Sequence, residues 1–506
     1  MVGTVEAEQP RRAPRGRLRQ LGPYPIMGFV GALLVAGTTP LWYLSGRAWR
    51  LTLPGLPHDG QRPVTAIVFV SGVTLVGVGW IGLIGRAERA KLSERDRTWA
   101  VLFTAALWFA PVLLGPPLLS SDIYSYAAEG AMVTNNLDPT AEGMYKLQFT
   151  PDTGYAHHVD TTWRKNGNPY GPVQMGVAAG VVTLTGHNFS LTIWGLRLVS
   201  VLGVALAAWG VHEIARLSGV SPPVALAFAI ANPIVVFHIV GGGHNEGLLM
   251  GLLSVGCALA LKGRWWFGVV LIALAAGVKL PAAAPLVYLA WVRPPSGARA
   301  AERMKEVAKA LAAAAAVLLA ACVVVGIGLG WITAAKNAGT TLGTLAVATQ
   351  VGFAVSKLLR MLGLGVADDT LVAMLRLLGL GLAGGFCLWL VPKAHRYGAV
   401  RVAGISMLAV ILLGPVVWPW YFAPALALLG ATGMGRWRPS LVVLSVFFAG
   451  VVFPTGPRSH PILEHSHLVS LLTIVGVGVA TLLAPRVAEW WRETRPPTRP
   501  LDEAVT

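Results

Sequence analysis

Long uncharged apolar runs recur along this chain and limit what it can fold into. The run from Ala100 to Leu119 holds about 20 residues without a charge, which is the length that an α-helix needs to cross a bilayer. Hydrophobic residues make up 55% of the 506 residues and charged residues only 12%, about half the charged share of a soluble protein. Because helices satisfy their own backbone hydrogen bonds in lipid, the sequence predicts an all-α polytopic membrane protein.

Basic residues predict how these spans are oriented. The net charge is +17, but the lysines and arginines fall in short clusters between apolar runs, so no nucleic-acid-binding domain is indicated. The strongest cluster, RAERAKLSERDR at Arg86–Arg97, is typical of a cytoplasmic loop. We expect about 12 to 14 transmembrane helices over residues 23–485. The disordered basic tail of residues 1–22 and the tail of residues 486–506 are then both cytoplasmic.

The first long polar segment, residues 120–190, follows directly after the run that ends at Leu119. The preceding span rises away from the Arg86–Arg97 loop, so this segment is predicted to be a large extracytoplasmic loop carrying short interfacial helices. It opens with SSDIYSYAAEG, in which Asp122 lies where the span leaves the hydrocarbon. Asp122 is the candidate catalytic residue. The alternative is that Asp122 only caps the next helix, since aspartate is a good N-cap.

Other polar features fall on the same predicted face. They are GGGHNEG at Gly241–Gly247, the interruption at Lys279 of the apolar run from Phe267 to Val292, and WPWY at Trp418–Tyr421. A channel or transporter would place ionisable residues near mid-bilayer, often in matched halves. The pattern instead favours a catalytic or binding bowl at one surface. The alternative for GGGHNEG is a polar turn that joins two helices. The alternative for Lys279 is a snorkelling lysine, and the alternative for WPWY is an interfacial aromatic belt.

Metal and disulfide chemistry are not indicated by the sequence. No convincing metal-ligand spacing is present, and we expect neither a metal nor another cofactor. The three cysteines, Cys257, Cys322 and Cys387, lie inside apolar runs. They are expected to be small core residues, so no disulfide framework is implied.

Five motifs, taken in order, resemble a known family. They are SSDIYSYAAEGAMVTNNLDP at Ser120–Pro139, NPYGP at Asn168–Pro172, ANP followed by GGGHNEG from Ala231, VKLP at Val278 and PWY at Pro419. This order is similar to that of the actinobacterial polyprenyl-phosphomannose-dependent α-1,6-mannopyranosyltransferases of the lipomannan pathway, which are multi-spanning GT-C glycosyltransferases. The chain departs from the family at Glu246, where aspartate is more usual, and at Thr140, where an aromatic residue is more usual.

The resemblance implies a reaction and a place for it. Mannose would pass from a polyprenyl-phosphate-mannose donor to a mannosyl glycolipid acceptor, forming α-1,6 linkages with inversion, at the outer face of the plasma membrane. Asp122 fits the general base. Lys279 is the first candidate for holding the donor phosphate, with Arg164 and Arg197 as lesser ones. Residues expected to contact sugar or acceptor are Tyr124, Tyr126, Tyr170, His244, Asn245, Glu246, Trp418, Trp420 and Tyr421.

Three alternatives to this enzyme stay open at the level of sequence. One is a flippase or transporter of a lipid-linked saccharide, and another is a GT-C enzyme that uses a different polyprenyl-phosphate sugar. The third is a noncatalytic subunit of a cell-envelope complex. An enzyme should depend steeply on Asp122, whereas a flippase should lose function gradually as charges in its cavity are removed.

Overall fold

The protein is almost entirely helical in the parts that the structure describes. This computed structural model describes residues 18–38, 58–338, 345–453, 460–461 and 467–494, apart from 19, 162, 166, 365 and 366. Most of the two predicted tails lies outside these residues. The α-helices are α1 (Tyr24–Thr38), α2 (His58–Arg89), α3 (Glu94–Leu114), α4 (Asp122–Thr134), α5 (Thr153–His158), α6 (Pro172–Leu184), α7 (Phe189–Leu217), α8 (Pro222–Ala229), α9 (Glu246–Leu261), α10 (Trp265–Ala276), α11 (Ala284–Val292), α12 (Ala300–Val325), α13 (Gly330–Ala338), α14 (Val347–Met361), α15 (Asp368–Leu390), α16 (Ala394–Tyr397), α17 (Ala399–Leu413), α18 (Phe422–Thr432), α19 (Arg438–Gly450) and α20 (His467–Thr494).

Short irregular pieces join these helices. Val235–Gly241 forms a π-helix, and the 3-10 helices are Met144–Phe149, Leu280–Ala283, Pro419–Tyr421 and Gly435–Trp437. Two short strands, β1 (Val452–Phe453) and β2 (His460–Pro461), pair antiparallel. The predicted break of the apolar run at Lys279 is confirmed, because α10 ends before it and a 3-10 turn follows it.

Six of the described helices are long and apolar enough to cross a membrane. They lie at Val64–Arg89, Glu94–Leu114, Phe189–Leu217, Ala300–Val325, Asp368–Leu390 and Leu472–Glu489. A seventh span results if Val235–Gly241 and Glu246–Leu261, bent by 108°, cross together. The predicted all-α polytopic membrane fold is confirmed. The described residues contain six to seven candidate spans by length and composition, beside the 12 to 14 transmembrane helices expected. Glycine and proline divide several apolar runs into helices of 10–17 residues, which include α6, α10 and α17.

Helix α3 brings the chain to the first motif. Ser93 caps its start, since its Oγ accepts a hydrogen bond of 3.1 Å from the Asp96 amide. The helix ends at Leu114, before Gly115-Pro116-Pro117, a sequence that cannot continue it. The backbone of Leu119 then adopts a φ of 59°, and α4 begins at Asp122. Asp122 therefore lies just beyond the end of a candidate span.

Helices α7 and α9 share the most extensive helix–helix contact of the described residues. A side chain at Gly203 of α7 would approach the backbone of Gly247, at the start of α9, to 2.4 Å. Only glycine permits backbones to pack this closely. This contact fixes the GGGHNEG turn, which contains His244 and Glu246, against α7.

Candidate active site

Helix α4 presents three polar side chains on one face. Asp122, Tyr126 and Glu129 are spaced i, i+4 and i+7, which places them in a row along the helix. Asp122 is the first helical residue, and Ser121 occupies the N-cap position without a side-chain cap bond. The backbone amide of Asp122 donates a hydrogen bond of 3.1 Å to Ser120 Oγ. Asp122 is thus not the N-cap itself, and its carboxylate remains available to the site.

The GGGHNEG turn brings His244 and Glu246 to this face. The bend between Val235–Gly241 and α9 passes through Gly243, whose φ of 71° favours glycine. His244 is fully buried. Its Nδ1 lies 3.7 Å from Asp122 Oδ2, 3.9 Å from Glu246 Oε2 and 3.4 Å from the Tyr126 hydroxyl. His244 therefore lies between the two carboxylates.

Lys279 reaches the same cluster from the break after α10. Gly277 is the C-cap of α10, and Pro281 prevents the helix from continuing, so Lys279 has an extended backbone. Its Nζ donates a hydrogen bond to Glu246 Oε1. The ammonium also lies 4.4 Å from the ring centroid of Tyr421 and 5.0 Å from that of Tyr170. These contacts hold the cation in place, and its other donors remain for a ligand.

The WPWY segment forms an aromatic wall against the histidine. The indole of Trp420 stacks on His244 with ring centroids 3.8 Å apart and an interplanar angle of 20°. Trp418 stacks in turn on Trp420, with centroids 5.1 Å apart and planes 4° apart. Trp420 is buried and Trp418 is half-buried. The stack excludes water from one side of His244.

The NPYGP segment closes another side of the cluster. The Gly171 amide donates 3.3 Å to the carbonyl of Val278, and a side chain at Gly171 would approach the carbonyl oxygen of Gly277 to 2.3 Å. This close backbone packing places Tyr170 beside Lys279. The hydroxyls of Tyr170 and Tyr126 are 3.4 Å apart. Four separate segments, namely GGGHNEG, the break at Lys279, WPWY and NPYGP, thus meet in one cluster beside α4.

The environment of Asp122 suits proton transfer. Burial raises the pKa of its carboxyl from 3.8 to about 6; the positive charge of Lys279 opposes this rise, and the negative charge of Glu246 adds to it. The Asp122 side chain is 23% exposed to solvent. A base whose pKa lies near the working pH is mostly ionised yet still accepts a proton effectively.

Arg197 and Arg164 contact backbone rather than this cluster. Arg197 is buried in α7. Its guanidinium donates hydrogen bonds of 2.6 Å to the carbonyls of Gly115 and Val112, and one of 3.3 Å to the carbonyl of Gly241. It thereby ties the end of α3 to the GGGHNEG turn. Within the described part of the chain, the hydrogen bonds of the Arg164 side chain go to the carbonyls of Val159 and His157. The structure brings neither guanidinium to the Lys279 ammonium.

Tyr124 and Asn245 lie beside the cluster. Tyr124 is on a different face of α4 and lines a groove together with Phe189 and Trp194. Asn245 is buried, and neither Oδ1 nor Nδ2 of its side-chain amide has a hydrogen-bond partner among the described residues. A buried amide without partners is costly, so Asn245 suits a hydrogen bond to a ligand.

Two polar residues of the site were not among the sequence-based candidates. Glu129 is fully buried, and Asn168 donates a hydrogen bond to its Oε1. The i+7 spacing from Asp122 is the sequence signal that indicates Glu129. Within the described ranges, no group of three or more His, Cys, Asp or Glu side chains is arranged to hold a metal ion. That the protein works without a cofactor stays a prediction.

Comparisons with known proteins agree with the motif order. Residues 25–294 match the family model "Alpha-(1->6)-mannopyranosyltransferase, N-terminal domain", and residues 348–484 match "MptB C-terminal domain". Alpha-(1->6)-mannopyranosyltransferase A of Mycobacterium tuberculosis is 31% identical over 81% of this chain and 80% of its own length. Alpha-(1->6)-mannopyranosyltransferase B of Corynebacterium glutamicum is 29% identical over 95% of this chain and 84% of its own.

A third relative, alpha-(1->6)-mannopyranosyltransferase A of Corynebacterium glutamicum, is 28% identical over 83% of this chain and 87% of its own. No solved structure matches the chain significantly. The matched regions contain all five motifs of the cluster, from SSDIYSYAAEG to PWY. The chain belongs to the alpha-(1->6)-mannopyranosyltransferase family.

Proposed function

We propose that this protein is a membrane mannosyltransferase that moves mannose from a polyprenyl-phosphate-mannose donor to a mannosyl glycolipid acceptor. The new linkage is α-1,6, the reaction inverts the anomeric centre, and the product is a lipomannan-type or lipoarabinomannan-type cell-envelope glycan. Family membership supports the sugar and the linkage. The observation that carries the chemistry is that the Asp122 carboxylate and the Lys279 ammonium belong to one cluster, in which His244 contacts Asp122 and Glu246, and Glu246 pairs with Lys279.

The bond changes follow from this arrangement. The 6-hydroxyl oxygen of the acceptor mannose attacks C1 of the donor mannose, and the bond between C1 and the phosphate oxygen breaks. The polyprenyl phosphate leaves with the electron pair, and the hydroxyl proton passes to Asp122. Tyr126, which lies between Asp122 and Glu129 on α4, contacts His244 and keeps its ring in place beside the carboxylate.

Lys279 would stabilise the departing phosphate. The negative charge on the leaving oxygens grows as the C1–O bond breaks, and a fixed ammonium beside them lowers the barrier. Lysine has three donors, and the hydrogen bond to Glu246 uses one of them. Glu246 therefore holds the cation in position before the donor arrives, and the phosphate would join an existing ion pair.

The apolar helices support a membrane protein, and we propose the plasma membrane, with the site on the extracytoplasmic face and both termini in the cytoplasm. In this orientation the lipid-linked donor and the lipid-anchored acceptor both enter from the surrounding membrane lipids. The basic Arg86–Arg97 loop supports the orientation.

Purified protein reconstituted in lipid tests the function directly. It is incubated with a set of polyprenyl-phosphate sugars and an oligomannosyl glycolipid acceptor, and the product linkage is determined. We expect transfer from the mannose donor alone, with an α-1,6 bond. Transfer of another sugar would replace the proposed donor. Movement of lipid-linked saccharide across the bilayer without transfer would indicate a flippase.

A further inference from the structure

Glu129 is a buried carboxyl that the proposed reaction does not use. It lies on α4 two turns after Asp122, on the same face, and its side chain is 0% exposed. Burying a carboxyl without a role is costly, and unpaired glutamates are among the residues least often buried. The hydrogen bonds around Glu129 show which residues it positions.

One amide side chain connects Glu129 to the NPYGP segment. Asn168 Nδ2 donates to Glu129 Oε1, and Asn168 Oδ1 accepts a hydrogen bond of 3.2 Å from the Tyr170 amide. The Asn168 backbone amide donates 2.9 Å to the carbonyl of Pro139. Both ends of the Asn168 amide are therefore engaged. Glu129 fixes the orientation of Asn168, and Asn168 fixes the backbone of Tyr170.

Tyr170 is the link from this pair to the cation. Its ring centroid lies 5.0 Å from Lys279 Nζ, and its hydroxyl lies 3.4 Å from that of Tyr126. A shift of the Tyr170 backbone would therefore change both the surface under the ammonium and the contact with α4. Small displacements at a preorganised site are enough to weaken binding or catalysis.

We propose that Glu129 is a positioning residue that acts through Asn168 and Tyr170 to keep Lys279 in place for the donor phosphate. This inference rests on the proposed function. Burial raises the pKa of Glu129 well above its usual range, which favours the protonated carboxyl. Its Oε2 is buried without a hydrogen-bond partner among the described residues, and it is the oxygen left to carry the proton.

Two variants of Glu129 separate the hydrogen bond from the charge. Glu129→Gln has the shape of the neutral acid and still accepts from Asn168, so it is expected to keep most of the transfer activity. Glu129→Ala loses the acceptor, and the KM for the polyprenyl-phosphate-mannose donor should rise about tenfold, the usual effect of losing one buried hydrogen bond. The KM for the acceptor should stay within about twofold. A general loss of folding would not split the two substrates.

Asn168→Ala tests the link from its other side. It should raise the donor KM at least as much as Glu129→Ala, because it also removes the acceptor of the Tyr170 amide. The double variant should be no worse than Asn168→Ala alone, since both substitutions remove the same Glu129–Asn168 hydrogen bond. Asn168→Ala also supplies the test if Glu129→Ala does not fold. A donor KM unchanged in Asn168→Ala would overturn the inference, as would a Glu129→Gln variant that folds but is as impaired as Glu129→Ala. Absence of mannose transfer by the unaltered protein would instead overturn the proposed function.

Discussion

The imidazole of His244 lies flat against the indole of Trp420, with ring centroids 3.8 Å apart. The two residues belong to different motifs far apart in the chain, and their stacking joins the GGGHNEG turn to the WPWY segment. His244 also lies 3.7 Å from the Asp122 carboxylate. The stack therefore determines how the histidine faces the proposed base.

Trp420→Leu tests this stacking. Loss of an aromatic pair of this kind removes about 1 kcal/mol of interaction, so we expect kcat/KM for transfer to fall by roughly threefold to tenfold. Trp266→Leu is the matched control, because Trp266 is a 54% exposed indole on α10. Steady-state transfer assays on both variants decide the point. Equal effects of the two substitutions would show that the stack on His244 has no special role.

Lys279 and Glu246 are best tested as a pair. Lys279→Met alone leaves a buried carboxylate without its partner, which costs roughly 3–5 kcal/mol of stability. The double variant Lys279→Met/Glu246→Gln removes both charges and should recover thermal stability. Its donor KM should nevertheless rise by about tenfold or more, since a charged hydrogen bond to phosphate is lost. Lys146→Met, in an exposed part of the loop, is the control and should leave the donor KM unchanged.

A wild-type donor KM in the Lys279→Met/Glu246→Gln variant would contradict the phosphate-binding role. Lys279 would then serve only as the partner of Glu246 or as a snorkelling lysine. Acceptor KM measured in parallel shows whether the loss is confined to the donor, as the account requires.

Accessibility of single cysteines tests the predicted orientation. Thr153→Cys, at the start of α5, should react with a membrane-impermeant thiol reagent added to intact cells. Ser296→Cys, in the exposed basic loop between α11 and α12, should react only after the cells are opened. The unaltered chain, in which Cys257 and Cys322 are buried, is the control for background labelling. Reaction in the reverse pattern would place the site on the cytoplasmic side.

The pH dependence of transfer follows from the pKa of Asp122. Since that pKa is about 6, protonation removes the base below this pH, and kcat/KM should fall about tenfold per pH unit there and level off above it. The residual activity of Asp122→Asn should lack this acid limb. A wild-type profile that stays flat through pH 6 would remove Asp122 as the titrating base.

Local signals in the sequence predicted the elements and the breaks between them. Uncharged runs predicted the apolar helices, and the glycines of GGGHNEG together with Pro281 predicted the interruptions that place His244 and Lys279 outside regular helices. These signals are local, because they depend on hydropathy and on backbone conformations that glycine and proline permit or prevent. The expected number of transmembrane helices, about 12 to 14, is larger than the six to seven long apolar spans among the described residues. Hydropathy alone does not show how an apolar run that is divided into shorter helices is arranged.

Contacts between motifs could not be predicted in the same way. Nothing in the sequence indicates that Lys279 pairs with Glu246 or that Trp420 stacks on His244, because tertiary packing brings them together. Arg197 is a further case: an arginine in an apolar helix has the same sequence pattern whether it faces a phosphate or, as here, three backbone carbonyls. Glu129 was not among the sequence-based candidates, although its i+7 spacing from Asp122 places the two residues on the same face of a helix.

Asp122 carries the central claim, and its asparagine variant provides the stability control. The folded-state pKa is raised above the unfolded value, so the carboxyl favours folding at low pH, and this contribution is lost as the pH rises through about 6. Above that pH, Asp122→Asn should therefore unfold at a temperature no lower than that of the unaltered protein. Any loss of transfer by a variant of this stability reflects chemistry rather than folding.

The most direct test is the transfer rate of Asp122→Asn in purified, lipid-reconstituted protein at about pH 7, beside its thermal stability and that of Asp122→Ala. The amide keeps the shape of the carboxylate but accepts no proton, so transfer should fall by roughly 10²-fold or more with unfolding unchanged. If Asp122 only stabilises the start of α4, asparagine should retain most of the activity and alanine alone should be impaired through stability. An Asp122→Asn variant that transfers mannose at close to the wild-type rate would contradict the account. The candidate base would then be Glu246, or Asp160, whose charge also raises the pKa of Asp122.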